Sequence, residues 1–170
     1  MFERPRPLAA SDDRAGFMSA EPSLNEWLAR RALRNEKAGN SRTFVSIERG
    51  SRVVAGYYCL SSCSLIRDDA PSQMQRNAPD PIPGILIGRL AVDSRFEGRG
   101  LGRSLLQDAV LKGIQASRLI VAQAFIVHAL SASAVSFYAK YGFELMPGSE
   151  RAMYLRVADA EATLGVVAAE

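Results

Sequence analysis

The most constraining feature of the chain is a glycine-rich turn between an apolar run and a helical pattern. The apolar run covers residues 85–92, the turn contains Gly98, Gly100 and Gly102, and an apolar-periodic segment opens at Leu101. Glycines let backbone N–H groups approach an anion closely, and a helix N-terminus adds unpaired donors and a partial positive charge. The order of strand, glycine turn and helix therefore predicts a cradle for a phosphate-bearing ligand.

Two familiar phosphate-binding motifs do not fit this turn. No Gly-Lys-Ser/Thr follows it, as one would in the P-loop of a nucleotide triphosphatase. The pair Gly98-x-Gly100 lacks a third glycine at the spacing found in dinucleotide-binding proteins. Taken alone, the turn also fits a plain loop whose glycines only cap the following helix.

The chain around the turn is rich in arginine. Arg95, Arg99 and Arg103 are predicted to bring positive charge to a phosphate, although a solvated charged face is the alternative for each of them. Backbone N–H groups are the more secure phosphate ligands in such a turn. The residues that supply them are Gly98, Gly100, Leu101 and Gly102.

Length and composition indicate one globular domain. A chain of 170 residues with 48% apolar and 23% charged residues is long enough to bury a core. We expect the domain to cover residues 1–157 and a flexible tail to cover residues 158–170. The net charge of +3 permits a polyanionic partner without requiring one. The chain shows neither an apolar signal segment nor a run of ~20 apolar residues, so we expect a cytoplasmic protein with no membrane partner.

Cysteine and histidine are too few to indicate a metal site. Cys59 and Cys63 fall in an apolar, strand-like run and are expected to be reduced, buried thiols. His128 is the single histidine and is interpreted as structural. No metal cofactor is expected.

Hydrophobic periodicity and turn residues divide the chain into alternating elements. Ser23 and Glu26 form a capping-box pattern that predicts the start of a first helix, which Gly39 ends. Helices are predicted over residues 23–38, 101–115 and 131–141, strands over 43–47, 52–60, 85–92, 119–127, 143–145 and 152–157, and a long loop over 67–83. This order predicts an α/β fold with a mixed central sheet flanked by helices, in which the strand–helix–strand unit around the glycine turn is parallel.

Two segments together resemble a known enzyme superfamily. Residues 95–100, Arg-Phe-Glu-Gly-Arg-Gly, match the Arg/Gln-x-x-Gly-x-Gly pattern of the coenzyme A pyrophosphate loop in GNAT N-acetyltransferases. Phe137-Tyr-Ala-Lys-Tyr-Gly-Phe143 is similar to the Phe-Tyr-x-x-x-Gly-Phe signature of the same superfamily. The resemblance implies a GNAT fold with splayed strands at an acetyl-CoA site.

Further segments are similar to one branch of that superfamily, the GNAT toxins of bacterial toxin–antitoxin pairs that acetylate charged tRNA. The segments are residues 17–28, 41–45, 55–58, 79–83, 88–93 and 127–130. The resemblance extends over residues 8–157. It implies acetyl-CoA as donor, aminoacyl-tRNA as acceptor, a ribbon-helix-helix antitoxin and a homodimer.

The resemblance also implies roles for single residues. A backbone N–H of the splayed strand meets the developing oxyanion, and by similarity it belongs to Leu90, Ala91 or Val92. Tyr138 matches the tyrosine near the sulfur and is the expected general acid, although its spacing alone fits a core aromatic equally well. Ser133 stands where related enzymes keep a polar contact to the pantetheine arm.

A basic set lies in and after the first predicted helix. An ordinary solvated helix face explains these residues from the sequence alone, whereas the resemblance implies contact with an RNA backbone. The members are Arg30, Arg31, Arg34, Lys37 and Arg42.

The function implied is a toxin that blocks translation by acetylating the α-amino group of aminoacyl-tRNA. Two alternatives stay open. One is a GNAT enzyme for another amine, such as a protein N-terminus, a polyamine or an aminoglycoside. The other is a GNAT-like module that binds coenzyme A or a protein without turnover.

Overall fold

The computed structural model of the protein describes residues 1–164 and contains six α-helices and seven strands within that range. The strands are β1 (Arg6–Pro7), β2 (Arg42–Ile47), β3 (Val54–Leu65), β4 (Ile82–Val92), β5 (Ala124–His128), β6 (Glu144–Leu145) and β7 (Ala152–Arg156). The α-helices are α1 (Pro22–Arg30), α2 (Ala32–Ala38), α3 (Ser72–Gln75), α4 (Leu101–Ser117), α5 (Ala132–Lys140) and α6 (Val157–Leu164). Short 3₁₀ turns cover Arg67–Asp69 and Ser94–Phe96.

The strands form one mixed sheet in the order β1-β2-β3-β4-β5-β7-β6. β1, β2 and β3 are antiparallel neighbours, β4 and β5 run parallel, and β7 is antiparallel to both β5 and β6. The parallel pair is joined through α4, which confirms the predicted strand–helix–strand unit. The predicted α/β fold with a mixed sheet is likewise confirmed.

Residue contacts divide the chain into two compact units, each with its own buried cluster. The first contains residues 1–61 and 87–109. In its core, α1 packs on the sheet through Trp27 and Leu28, and the hydroxyl of Tyr57 donates a hydrogen bond of 2.7 Å to the carbonyl of Leu24. The cluster also contains Leu8, Phe17, Ala32, Val45, Ile47, Val54, Cys59 and Ala91.

The second unit contains, among the described residues, 62–86 and 110–164. Its core is a smaller cluster in which α3 packs against strand residues. The members are Ala70, Met74, Ala78, Ile82, Ala124, Ile126 and Tyr154.

The predicted single helix over residues 23–38 is wrong, because the chain forms two helices there. Arg31 separates them with φ −118° and ψ −25°, away from ideal helical values. The predicted capping box is also wrong: the N-cap is Glu21, without a side-chain hydrogen bond, and Pro22 takes the first helical position that suits its fixed φ. Gly39 ends α2 at φ 73°, as expected.

The predicted strand over residues 119–127 begins only at Ala124. The N–H groups of Arg118, Leu119 and Ile120 donate back to carbonyls at the end of α4, so they do not join the sheet. The side chains of Leu119 and Ile120 are 89% and 81% exposed. Apolar sequence alone does not distinguish such a helix end from a strand.

Two other stretches contain more regular structure than the sequence indicates. The predicted loop over residues 67–83 holds a 3₁₀ turn, α3 and the first residues of β4. In the expected C-terminal tail, α6 buries Val157 and Ala160, and the last six residues of the tail lie outside the described part. No helix within residues 1–164 is long and apolar enough to cross a membrane.

Gly56 on β3 allows a close approach between the sheet and the first turns of α4. A Cβ at this position would lie 2.8 Å from Leu105 Cδ1, 3.1 Å from the Ala91 carbonyl oxygen and 3.2 Å from Leu101 Cδ2. Leu105 is fully buried and Leu101 nearly so, which leaves little room for them to move. The glycine therefore sets how closely the N-terminal turns of α4 pack on the sheet.

We predict that Gly56→Ala lowers the free energy of unfolding by about 1–3 kcal/mol, because the added methyl group overpacks this contact. Gly16→Ala is the matched control, since a Cβ there meets no atom within 4 Å. Urea denaturation of both variants measures the difference. Equal stability of the two variants would contradict the packing argument.

Candidate active site

The glycine turn is open and strongly bent. Gly98 and Gly100 have φ values of 73° and 78°, which residues with a side chain adopt only with strain. A Cβ at either position would meet no atom within 4 Å, so the backbone faces open space. Conformation and exposure both suit a backbone that must approach a ligand.

The backbone N–H groups of the turn have no intrachain acceptor among the described residues. The first such bond closes where the N–H of Ser104 donates to the carbonyl of Gly100 at 3.1 Å. Unpaired donors at the start of a helix attract anions. The groups without a recorded acceptor belong to Gly98, Arg99, Gly100, Leu101, Gly102 and Arg103.

A buried carboxylate fixes the start of the turn. Asp93 is 1% exposed and accepts hydrogen bonds from the Arg95 N–H at 2.9 Å and from the Met18 N–H at 3.0 Å. The Arg95 guanidinium adds two more, at 2.9 and 3.0 Å. Burial by itself would raise the pKa of Asp93, but these donors outweigh it and hold the pKa below its usual value. Asp93 is therefore an ionised anchor for the loop.

The arginines of the turn have different environments. Arg95 is engaged with Asp93, so its guanidinium is committed to the protein rather than free for a phosphate. Arg99 lies with its Cζ 5.7 Å from the ring centroid of Phe96 and is exposed. Arg103 is exposed on the first turn of α4, and no ion pair is recorded for it among residues 1–164.

The strand before the turn pairs with its parallel neighbour over a short stretch. The β4–β5 ladder joins Gly84 to Ala124, Ile85 to Phe125, and Leu86 to Ile126, whereas β4 continues to Val92. The residues predicted to meet the oxyanion come after the last of these pairs. They are Leu90, Ala91 and Val92, of which Ala91 is buried and the other two are half-buried.

Tyr138 lies on α5, whose N-cap is Ser131. The Ser131 hydroxyl accepts a hydrogen bond from the Ala134 N–H at 3.1 Å and lies 3.0 Å from the exposed Ser133 hydroxyl. Tyr138 is 7% exposed, with its ring 5.2 Å from Phe137 and 5.5 Å from Phe143 between centroids. Tyr138 is therefore part of the buried core as well as the candidate general acid.

The phenol of Tyr138 remains available for chemistry. Burial is the sole cause of the pKa shift of Tyr138, and no hydrogen bond within residues 1–164 contributes to it. Burial raises the pKa of this phenol above its ordinary value, so the proton is retained at neutral pH. A protonated phenol without an intrachain partner suits a proton donor.

The basic set is exposed, but it is spread over α1, α2 and β2 rather than one helix. Arg30 lies 3.7 Å from Glu26, and Arg42 lies 3.5 Å from Glu36. Arg31, Arg34 and Lys37 are exposed, and no ion pair is recorded for them in the described part of the chain. The break at Arg31 means that the set does not follow one helical face.

Comparison with known proteins decides the family. Residues 40–145 match the model of the acetyltransferase (GNAT) domain. The chain belongs to the GNAT acetyltransferase family. The tRNA-acetylating toxin of Mycobacterium tuberculosis is 43% identical over 164 residues, which cover 96% of this chain and 98% of the relative.

Solved structures of AtaT have the same fold as this acetyltransferase. AtaT complexed with acetyl-methionyl-tRNAfMet has a TM-score of 0.88 at 27% identity, covering 96% of this chain and 99% of that one. AtaTR bound with acetyl-CoA has a TM-score of 0.84 at 26% identity, covering 96% and 98%. A mutant AtaT toxin bound to the C-terminus of the antitoxin AtaR has a TM-score of 0.83 at 25% identity, covering 100% and 99%.

The acetyltransferase contains one site residue that the sequence analysis missed. The sequence places Asp93 only within a similar segment, yet Asp93 makes the hydrogen bonds that fix the start of the glycine turn. Its signal was an acidic residue directly after an apolar strand and two residues before an arginine. His128 lies at the exposed end of β5. No group of three or more His, Cys, Asp or Glu side chains in residues 1–164 is placed to hold a metal ion.

We predict that Gly100→Ala weakens acetyl-CoA binding about ten-fold or more, because the added methyl group disfavours the φ that aims these N–H groups. Gly50→Ala is the matched control, since Gly50 has φ 79° and equally open surroundings. Both variants should lose about 1–2 kcal/mol of stability. Isothermal titration measures the affinity of both variants for acetyl-CoA and so separates backbone strain from ligand binding. Equal affinities of Gly100→Ala and Gly50→Ala would contradict the prediction that the turn binds the phosphates.

Proposed function

We propose that the protein is a toxin N-acetyltransferase that moves the acetyl group of acetyl-CoA to the α-amino group of aminoacyl-tRNA. The observation that carries the choice of acceptor is the 43% identity, over nearly the whole chain, to a tRNA-acetylating toxin. An acetylated α-amine cannot accept a growing peptide. Translation would therefore stop in the cytoplasm, where charged tRNA is used.

The donor site rests on the glycine turn. Unpaired N–H groups from Gly98 to Arg103 bind the pyrophosphate of acetyl-CoA, and the N-terminus of α4 adds its partial positive charge. Arg99 and Arg103 supply further positive charge at the surface. Arg95 acts indirectly, because its guanidinium holds Asp93. Ser133 contacts the pantetheine arm.

The chemistry requires few groups. An α-amine titrates near ~7.7, so a useful fraction is neutral at cytoplasmic pH and no strong base is needed. A backbone N–H among Leu90, Ala91 and Val92 stabilises the oxyanion that forms on the thioester carbonyl, an effect worth ~3 kcal/mol for a well-placed donor. The neutral amine attacks the thioester carbonyl, the C–S bond breaks as Tyr138 protonates the leaving thiolate, and the proton that the nitrogen loses passes to solvent, from which the phenolate is reprotonated.

The decisive experiment incubates the protein with labelled acetyl-CoA and total charged tRNA. We expect label in tRNA that is lost when the aminoacyl ester is hydrolysed, and none in deacylated tRNA. Polyamines, an aminoglycoside and peptides with free N-termini are offered in parallel. Label in one of these and not in tRNA would establish the alternative acceptor and refute the proposal.

We predict that Tyr138→Phe binds acetyl-CoA normally but loses about 10²–10⁴-fold in turnover, because only the proton donor is removed. The wild-type rate should rise with pH as the α-amine loses its proton. It should not fall again near pH 10, since burial raises the pKa of Tyr138 and keeps it protonated beyond that point. Full turnover in the variant would remove the proposed acid.

The basic set is proposed to bind the RNA backbone. We predict that Arg34→Glu raises the KM for charged tRNA several-fold and makes binding less sensitive to salt, because a phosphate contact is lost. Arg118→Glu gives the same change in net charge at an exposed residue outside the set and serves as control. The KM for acetyl-CoA should stay constant in both. Identical tRNA kinetics for the two variants would exclude this surface.

Two partners complete the proposal. The antitoxin is of the ribbon-helix-helix class, and its C-terminal segment covers the toxin's active-site groove. The toxin itself acts as a homodimer. Support comes from the branch that the sequence resembles and from the AtaT structure that holds the C-terminus of an antitoxin. Sedimentation of the protein alone and with its neighbouring small gene product tests both points.

A further inference from the structure

Arg89 on β4 carries a charge that the fold does not neutralise. Its guanidinium carbon lies 4.3 Å from the ring centroid of Trp27, and the residue is half-buried. Neither an ion pair nor a hydrogen bond of this side chain is recorded within the described residues. Its five N–H donors therefore have no partner within residues 1–164.

Packing alone does not require a charge at this position. Trp27 is 7% exposed and belongs to the core cluster, and the indole would be covered as well by an unbranched apolar side chain. The positive charge of Arg89 also acts on a buried thiol of that core. Burial raises the pKa of the Cys59 thiol to about 12, and the nearby charge of Arg89 opposes this rise. A half-buried guanidinium without an intrachain counterion keeps its donors available for an anion that approaches from outside.

The position of Arg89 indicates what that partner is. Trp27 precedes Arg30 and Arg31 by one helical turn, so the guanidinium lies beside the part of α1 where the basic set begins. Along β4, Arg89 is one to three residues before Leu90, Ala91 and Val92, which is about 3–10 Å of strand. An anion held here is therefore close to the residues proposed to stabilise the oxyanion.

We propose that Arg89 binds a phosphodiester at the acceptor end of the aminoacyl-tRNA. The inference rests on the proposed function, since the α-amine is attached to that end of the RNA. Guanidinium matches phosphate oxygens with two parallel hydrogen bonds, and stacking on Trp27 fixes its plane before the RNA arrives. Arg89 is thus a substrate-binding residue near the reaction, separate from the peripheral basic residues.

The test uses Arg89→Met, which keeps the packing on Trp27 without charge, and Arg89→Lys, which keeps the charge. Affinity for purified charged tRNA is measured over a range of salt concentrations. We expect the slope of log affinity against log salt to become shallower by about 1 in Arg89→Met and to change little in Arg89→Lys. The KM for tRNA should rise about 3–10-fold in Arg89→Met while the KM for acetyl-CoA stays constant.

Arg118→Met, which removes an exposed charge elsewhere, is the matched control and should keep the wild-type slope. A wild-type slope in Arg89→Met overturns the inference, and a loss of thermal stability with unchanged slope assigns Arg89 to packing alone. Failure of the proposed function would look different: the wild-type protein would bind tRNA with a steep salt dependence but transfer no acetyl group. The binding slopes would still decide the role of Arg89 in that case.

Discussion

The buried carboxylate of Asp93 is the contact on which the proposed donor site depends. A turn with two positive φ values and six N–H groups without acceptors has little internal stabilisation of its own. Asp93 supplies it by accepting from the backbone and guanidinium of Arg95. The same carboxylate accepts from Met18, and the Ser94 N–H donates to the Met18 carbonyl at 2.8 Å. The glycine turn and the segment before α1 are thus fixed to each other by one buried charge.

Much of this arrangement follows from local sequence rules. The strand before the turn, the helix after it and the glycine end of α2 are set by neighbours in the chain, so pattern and turn chemistry predict them. The family was also accessible, because its two motifs are short and contiguous. The functional roles of Tyr138 and of the arginines stay predictions.

What pattern did not predict depends on contacts between distant residues or on competing local bonds. Arg95 was assigned to the ligand, yet Asp93 takes its guanidinium, and no periodicity reveals a buried acid on a strand end. The apolar run of Leu119, Ile120 and Val121 predicts a strand. The N–H groups of residues 118–120 instead donate hydrogen bonds to carbonyls at the end of α4. The first predicted helix breaks at Arg31, although the backbone hydrogen bonds to Trp27 and from Asn35 on either side of the break are helical. Hydrophobic periodicity does not report such a local change of φ.

The ion pairs of the chain divide into two kinds with different consequences for RNA binding. Asp93 is almost fully buried, so exchanging Arg95 for solvent or phosphate would leave an unpaired charge inside the protein, which is unfavourable. Arg30 and Arg42 instead pair with Glu26 and Glu36 through side chains that are 77% and 61% exposed. The Glu26 side chain is also exposed, at 65%, so Arg30 can exchange it for a phosphate at little cost, whereas Glu36 is only 22% exposed and Arg42 is held more firmly. A basic surface that is partly neutralised in the free protein therefore remains able to bind a polyanion.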